Sequence, residues 1–232
     1  TPAGTSLIGC NGGTLKANTG AGADFLQGID SVCIYAGGAV IDDSGLGITI
    51  AQNLIAPSGN GVTAVPQPGV LPAYVGAPYV QIGGGGGSGA TAMSLFDEGS
   101  GTVTGVVITC AGTGYTNQPT VTMVGGGRTD YSLGAATIGA ITSGGLAKTG
   151  AGTLTLTGAS TYTGTTTINA GTLALSGLAA RLASGTVSVV ENAVFQIAAG
   201  GGAVDCVANG AKIILAASGG QYGRCVLDSD EE

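Results

Sequence analysis

A 19-residue spacing of apolar residues in the second half of the chain restricts its fold more than any other feature. Two sets of positions share this spacing. They are Leu156, Leu175, Val194 and Ile213, and Ile168, Val187, Cys206 and Cys225. Two columns with one period are typical of a parallel β-solenoid, in which successive coils stack equivalent residues about 4.8 Å apart. We therefore predict an all-β fold, a parallel β-solenoid of about 19 residues per coil.

The composition favours strands with tight corners and excludes several classes of protein. Gly accounts for 47 of the 232 residues and charged residues for only 8%, and Gly adopts positive φ without steric cost. The chain has a net charge of −7 and no cluster of basic residues, so we expect no nucleic-acid partner. No apolar stretch is long enough to span a bilayer, so we expect no membrane insertion. Without His, neither a Ser-His nor a Cys-His nucleophile exists, and we expect no enzyme.

A break rich in proline and a second repeat divide the chain. Tyr74, Pro78, Val80 and Ile82 before Gly84–Gly86 match Tyr115, Pro119, Val121 and Met123 before Gly125–Gly127, at a spacing of 41 residues. Proline interrupts regular strand pairing. We predict N-terminal solenoid coils over 1–65, a small inserted antiparallel β module over 66–127, and a C-terminal solenoid over 128–232.

The five cysteines indicate an oxidising compartment. Cys206 and Cys225 share a predicted column on adjacent coils, at a distance that a disulfide permits, so we expect them to be bonded. Two buried thiols are the alternative. Cys10 and Cys33, 23 residues apart, are a second candidate pair. Cys110 is left over as a free or intersubunit thiol, and its apolar surroundings favour a free one.

Acidic residues offer few candidates for chemistry. Asp42–Asp43 and Asp97–Glu98 adjoin Ser-Gly or Gly-Ser turns. Neighbouring side chains of a strand face opposite sides, so we interpret both pairs as solvated turn residues. The acidic tail 228–232 is a candidate Ca²⁺ ligand set, because hard cations take carboxylate oxygens, although a solubilising tail is the simpler interpretation. We expect no other cofactor.

Residues 145–175 contain a long motif with three parts. It consists of Lys148, Gly150, Gly152 and Leu154, then Thr161, Tyr162, Gly164 and Thr166, then Ile168, Gly171 and Leu173. The motif closely resembles the autotransporter passenger-associated repeat, with Ser160 where that family usually has Asn. The resemblance implies a parallel β-helix on a bacterial surface, secreted or extracellular. The sequence ends in an acidic tail, and we expect a passenger without the C-terminal membrane barrel of autotransporters.

Two functional hypotheses follow, both without catalysis. The first is a subunit that assembles with itself, head to tail, into an extracellular filament, because the ends of a solenoid expose unpaired strand edges. The second is a monomeric adhesin or surface stalk that binds a host or neighbouring cell through the inserted module. A polysaccharide-cleaving enzyme is a third and weaker alternative, since no basic residues cluster near the acids.

Overall fold

Strands provide the regular structure of the chain. A computed structural model describes residues 6–20, 24–198, 206–218 and 220–227, and within these ranges no helix occurs. Accordingly, no helix in the described residues is long and apolar enough to cross a membrane. The prediction of an all-β fold built on parallel sheets is confirmed.

The strands are short and follow one another closely. In chain order they are β1 (Leu7–Cys10), β2 (Thr14–Lys16), β3 (Ser31–Ile34), β4 (Ala39–Asp42), β5 (Gly47–Ile50), β6 (Leu54–Ile55), β7 (Asn60–Ala64), β8 (Tyr79–Gly83), β9 (Ser88–Asp97), β10 (Thr102–Thr113), β11 (Thr120–Val124), β12 (Tyr131–Ala135) and β13 (Thr137–Ala140). They continue as β14 (Leu146–Thr149), β15 (Thr153–Leu156), β16 (Ala159–Ser160), β17 (Thr166–Ile168), β18 (Thr172–Ser176), β19 (Arg181–Leu182), β20 (Thr186–Val189), β21 (Val194–Ala198), β22 (Lys212–Leu215), β23 (Ala217–Ser218), β24 (Gln221–Tyr222) and β25 (Arg224–Leu227).

The chain divides into two compact units. The solenoid unit comprises Thr1–Ala56 and Thr142–Glu232, and the insert unit comprises Pro57–Ile141. The predicted boundaries at 65/66 and 127/128 leave β7 and β13 outside the module. Strands β7 and β13 pair with each other within the insert unit, so the unit begins before and ends after the boundaries predicted from the prolines and glycines.

The solenoid unit has three faces of parallel strands. One face has the order β2-β4-β14-β17-β20-β22, and a second has the order β5-β15-β18-β21-β25. The third face consists of β1, β3 and β6, and of the β16–β19 pair. Side chains alternate along each strand, so every second residue enters a common apolar core. Successive coils of this unit therefore stack like the rungs of a solenoid.

The coil length varies, and this corrects the predicted columns. Leu156 pairs with Leu175, a step of 19, but Leu175 pairs with Ile197, a step of 22, and Ile197 with Leu227, a step of 30. Val194 pairs with Thr172 and therefore lies outside the predicted column of Leu156 and Leu175. Extra residues are absorbed in the corners, where they do not stack, so a constant period holds only while the corners stay short.

The solenoid continues across the insertion. Strand β4 pairs with β14 and β5 pairs with β15, so the coil before the insert unit and the coil after it are direct neighbours. Without 57–141, the five residues 56 and 142–145 connect the end of β6 to the start of β14. In the next coil the five residues 161–165 connect β16 to β17. The insertion thus occupies one corner of an otherwise regular coil.

The insert unit is built on an antiparallel sheet of order β10-β9-β8-β11-β12. Its inner face packs in a separate apolar core. The insert unit is thus an antiparallel module that lies in the chain between two solenoid segments. The 41-residue repeat is longer than the motif that revealed it, since the buried residues Val62 and Val65 correspond to the buried Val103 and Val106.

The two repeats of the insert unit exchange equivalent backbone hydrogen bonds. The Tyr74 N–H donates to Gly101 O at 2.9 Å, and the Tyr115 N–H donates to Asn60 O at 3.0 Å. Both donors and both acceptors are 41 residues apart. Strands β8 and β11, which also correspond, pair with each other. Each repeat therefore completes the other within one compact unit.

Candidate functional site

The repeat motif surrounds a lysine that is fully buried in the solenoid core. Lys148 pairs with Ile41 in the coil before it and with Ile168 in the coil after it, so its side chain starts in an apolar column. Its Nζ donates to Asp43 Oδ2, to Gly150 O at 2.6 Å and to Gly152 O at 3.0 Å. Each ammonium hydrogen thus has an acceptor, as burial of a charge requires.

Asp43 is the partner of this lysine and is also fully buried. Its second oxygen, Oδ1, accepts from the Gly45 N–H at 2.8 Å and from the Gly152 N–H at 3.0 Å. The interpretation of Asp43 as a solvated turn residue is therefore wrong. Asp43 follows the last residue of β4, and its side chain turns into the core at the corner.

Asp42, by contrast, is a partly exposed surface residue, as expected. It forms an ion pair with Lys16 at 3.0 Å, and 67% of the Lys16 side chain is exposed. The Ser44 backbone N–H and then Lys16 hold the pKa of the Asp42 carboxyl below its usual value. Two adjacent aspartates thus form two ion pairs, one solvated and one buried.

The glycines of the motif are required by close approaches around this pair. Gly150 has φ +87, and a Cβ there would lie 2.2 Å from Asp43 Oδ1. A Cβ at Gly152 would lie 2.0 Å from Leu46 O. Any larger residue would displace either the carboxylate or the corner that carries it. The Lys-x-Gly-x-Gly spacing is therefore explained by a single corner of the solenoid, which encloses the ion pair.

The centre of the motif builds the following corner. Tyr162 is fully buried, its hydroxyl lies 2.7 Å from Thr166 Oγ1, and burial raises the pKa of its phenol. A Cβ at Gly164 would lie 2.3 Å from the Gly144 carbonyl carbon. The remaining motif residues lie in the apolar columns of the core and at the next corner. Leu154, Ile168 and Leu173 are fully buried, and Gly171 has a positive φ of 63°.

The strand register does not support the predicted disulfides. Cys225 pairs with Phe195 on the second face, whereas the carbonyl of Cys206 accepts from Leu182 on the third face. The shared column assigned to Cys206 and Cys225 is therefore wrong. Cys10 is aligned with Ile34, one residue beyond Cys33, so their side chains leave opposite sides of the sheet.

Cys110 and the acidic candidates are placed as follows. Cys110 lies buried in β10, opposite Thr91. Asp97 and Glu98 are exposed, and hydrogen bonds from Ser100 and then from the Gly99 N–H lower the pKa of Asp97. The tail 228–232 lies outside the described residues. Among the residues that are described, no three His, Cys, Asp or Glu side chains form a metal-binding group.

The last coil of the solenoid unit exposes the ends of its apolar columns. Val187 and Val189 on β20 are fully buried, but Ile213 and Leu215, which continue their columns on β22, are 41% and 47% exposed. In the described part of the chain, β22 is an edge strand paired only with β20. Strand β2 forms the opposite edge of the same sheet. The 19-residue spacing in the sequence gives no signal for this surface.

A second exposed surface lies on the outer face of the insert unit. Val107, Met93 and Tyr79 are cross-strand neighbours on β10, β9 and β8, and are 44%, 52% and 68% exposed. We call these three residues the apolar rung. Beside it, a cleft of about 360 Å³ is lined by Met93, Leu95 and Phe96, among other residues, with Asp97 and Glu98 also on its wall.

The tyrosines Tyr74, Tyr79 and Tyr115 of the insert unit lie in two different environments. Tyr74 and Tyr115 are buried, whereas Tyr79 is exposed. A Cβ at Gly126 would lie 2.7 Å from the Tyr74 ring, and one at Gly85 would lie 2.9 Å from the Tyr115 ring. The two buried rings therefore pack on the glycine turns of the opposite repeat, which explains the spacing from Tyr to the triple glycine.

Comparison with known proteins identifies one repeat. Residues 146–175 match the family model of the passenger-associated-transport-repeat. The match confirms the resemblance to an autotransporter passenger repeat, and such a repeat implies secretion or exposure at the cell surface. No curated protein and no solved structure matches the chain significantly.

Proposed function

We propose that this chain is an extracellular structural protein whose solenoid unit assembles head to tail into a filament or surface fibre. The passenger-type repeat supports an extracellular protein. The observation that carries the assembly step is the exposed β22 edge. There, two columns that are buried one coil earlier end at Ile213 and Leu215.

A second copy of the chain has the chemistry to cover this edge. Strand β2 of the second copy is the other edge of the same parallel sheet, so stacking it on β22 would continue the hydrogen-bond ladder. Ile213 and Leu215 are 41% and 47% exposed, so covering the exposed part of each contributes roughly 1 kcal/mol. The contact joins two different surfaces and repeats without closing, which generates a fibre. The net charge of −7 opposes it, so added salt should favour assembly.

Negative-stain electron microscopy and size-exclusion chromatography test this proposal. We expect fibres that Ile213→Lys abolishes, because a charge would replace the apolar column end. The substitution makes the net charge less negative, so increased repulsion cannot explain a loss. Leu178→Lys is the control, since Leu178 is 66% exposed but lies outside β22. Single rods of the unsubstituted chain at every salt concentration would overturn the proposal.

The apolar rung supports a second candidate function, a monomeric adhesin that binds a host or neighbouring cell surface through the insert unit. Contiguous exposed apolar residues mark interaction surfaces, and the rung crosses three adjacent strands. We expect Met93→Lys to weaken binding of the chain to intact cells while leaving the solenoid unit folded. Equal binding by this variant and by the parent chain would exclude the rung as the adhesive surface.

A further inference from the structure

We propose that Lys148 and Asp43 condense to an intramolecular amide, which links the coil before the insert unit to the coil after it by a covalent bond. The two residues are 105 positions apart in the chain. The proposal concerns the solenoid unit alone, and it holds whether or not the chain forms filaments.

The two reacting groups, the ammonium and the carboxylate, are already in contact. Lys148 Nζ touches Asp43 Oδ2, and this oxygen is bonded to Cγ, the carbon that the nitrogen would attack. Strand pairing between β4 and β14 holds both backbones in register. Reactants held in contact by a rigid scaffold gain a large entropic advantage over the same groups in solution.

Burial favours the condensation in two ways. Both side chains are fully buried, and a medium of low polarity disfavours charged forms relative to neutral ones. Condensation replaces two buried charges by one neutral amide, so burial favours the amide over the ion pair. Enclosure also keeps bulk water from the amide, so the reverse hydrolysis is suppressed.

The corner provides a site for the developing negative charge. Attack on Cγ places that charge on Oδ1, which already accepts from the N–H groups of Gly45 and Gly152. Two backbone donors directed at such an oxygen stabilise a tetrahedral intermediate. Gly150 and Gly152 lack the Cβ atoms that would displace the carboxylate or the corner.

The reaction balances without a further reactant. The ammonium has three hydrogens, of which one remains on the amide nitrogen and two leave with Oδ2 as water. The Nζ–Cγ bond forms and the Cγ–Oδ2 bond breaks. In the product, the amide oxygen retains both N–H donors, and the amide N–H retains one of the carbonyls of Gly150 and Gly152 that now accept from Nζ.

The neighbouring ion pair provides an internal comparison. Lys16 and Asp42 likewise form an ion pair, at 3.0 Å, but both side chains are partly exposed to water. Their charges are solvated and their carboxylate is open to hydrolysis. The same residue types should therefore remain an ion pair at one position and condense at the other.

Intact-mass spectrometry of the whole chain after reduction tests the proposal. We expect a mass lower than that of the sequence by one water, and a linked peptide with Asp43 and an uncleaved Lys148 after denaturation and trypsin digestion. Lys16→Arg should keep this deficit and Lys148→Arg should lose it. A parent chain of full sequence mass that trypsin cleaves at Lys148 would overturn the proposal.

Discussion

Replacing Lys148 by Met should destabilise the chain far more than replacing Lys16 by Met. Met keeps the apolar stem but removes the charge, so Asp43 remains buried without a cation. Breaking a buried pair in this way costs about 3–5 kcal/mol. Loss of an amide at this position would add to that figure. The exposed pair of Lys16 and Asp42 should contribute far less, because water screens its charges.

Equilibrium urea unfolding measures this difference. With a slope of about 2 kcal/mol per molar urea, the Lys148→Met midpoint should fall by roughly 1.5–2.5 M. The Lys16→Met midpoint should fall by less than about 0.5 M. Adding Asp43→Leu to Lys148→Met should recover part of the loss, because no charge is then left buried. Equal midpoints for the two lysine variants would refute the reasoning from burial.

Three further predictions concern the corners and the insertion. The chain should lose stability above pH 10, because the buried Tyr162 phenol has a raised pKa and only the unfolded chain ionises it there. Tyr162→Phe should reduce this loss. Urea unfolding at pH 8 and pH 11 tests this, and an equal difference in stability between the two pH values for both chains would contradict it. Gly164→Ala should lower the free energy of unfolding by about 1–3 kcal/mol, because the added Cβ would lie too close to the backbone. Gly185→Ala has open space around it and should change this free energy by less than about 0.5 kcal/mol. Similar urea midpoints for the two variants would contradict this prediction. Deleting 57–141 should leave a folded solenoid unit, because five residues then connect β6 to β14 as in the next coil; circular dichroism and cooperative unfolding check this, and loss of the β signal would refute it.

Local patterns predicted the kind of fold and the motif corner. Alternating apolar residues such as Leu154 and Leu156 indicate strands with one buried face. This signal does not depend on which other segments pair with the strand. The Lys148-x-Gly150-x-Gly152 spacing lies within five residues, so one corner accounts for it. The two halves of the insert unit were visible for the same reason, since Tyr74 and Tyr115 repeat their own local surroundings.

Contacts between distant segments escaped prediction. Asp43 appeared to be a turn residue because nothing near it in the chain reveals a lysine 105 positions later. The columns containing Cys206 and Cys225 were misassigned because corner residues add length without stacking. A fixed period cannot detect such additions, and the register that decides which cysteines are neighbours shifts with each one.

Parallel coils with glycine corners are predictable from the sequence, because strand alternation and positive φ are properties of a few consecutive residues. The neighbours of each coil, the burial of one aspartate and the ends of the columns follow from tertiary contacts instead. These depend on backbone pairing between segments separated by an 85-residue insertion, and pairing across that distance leaves no local pattern. The buried ion pair and the exposed β22 edge, on which the proposals rest, both belong to this second group.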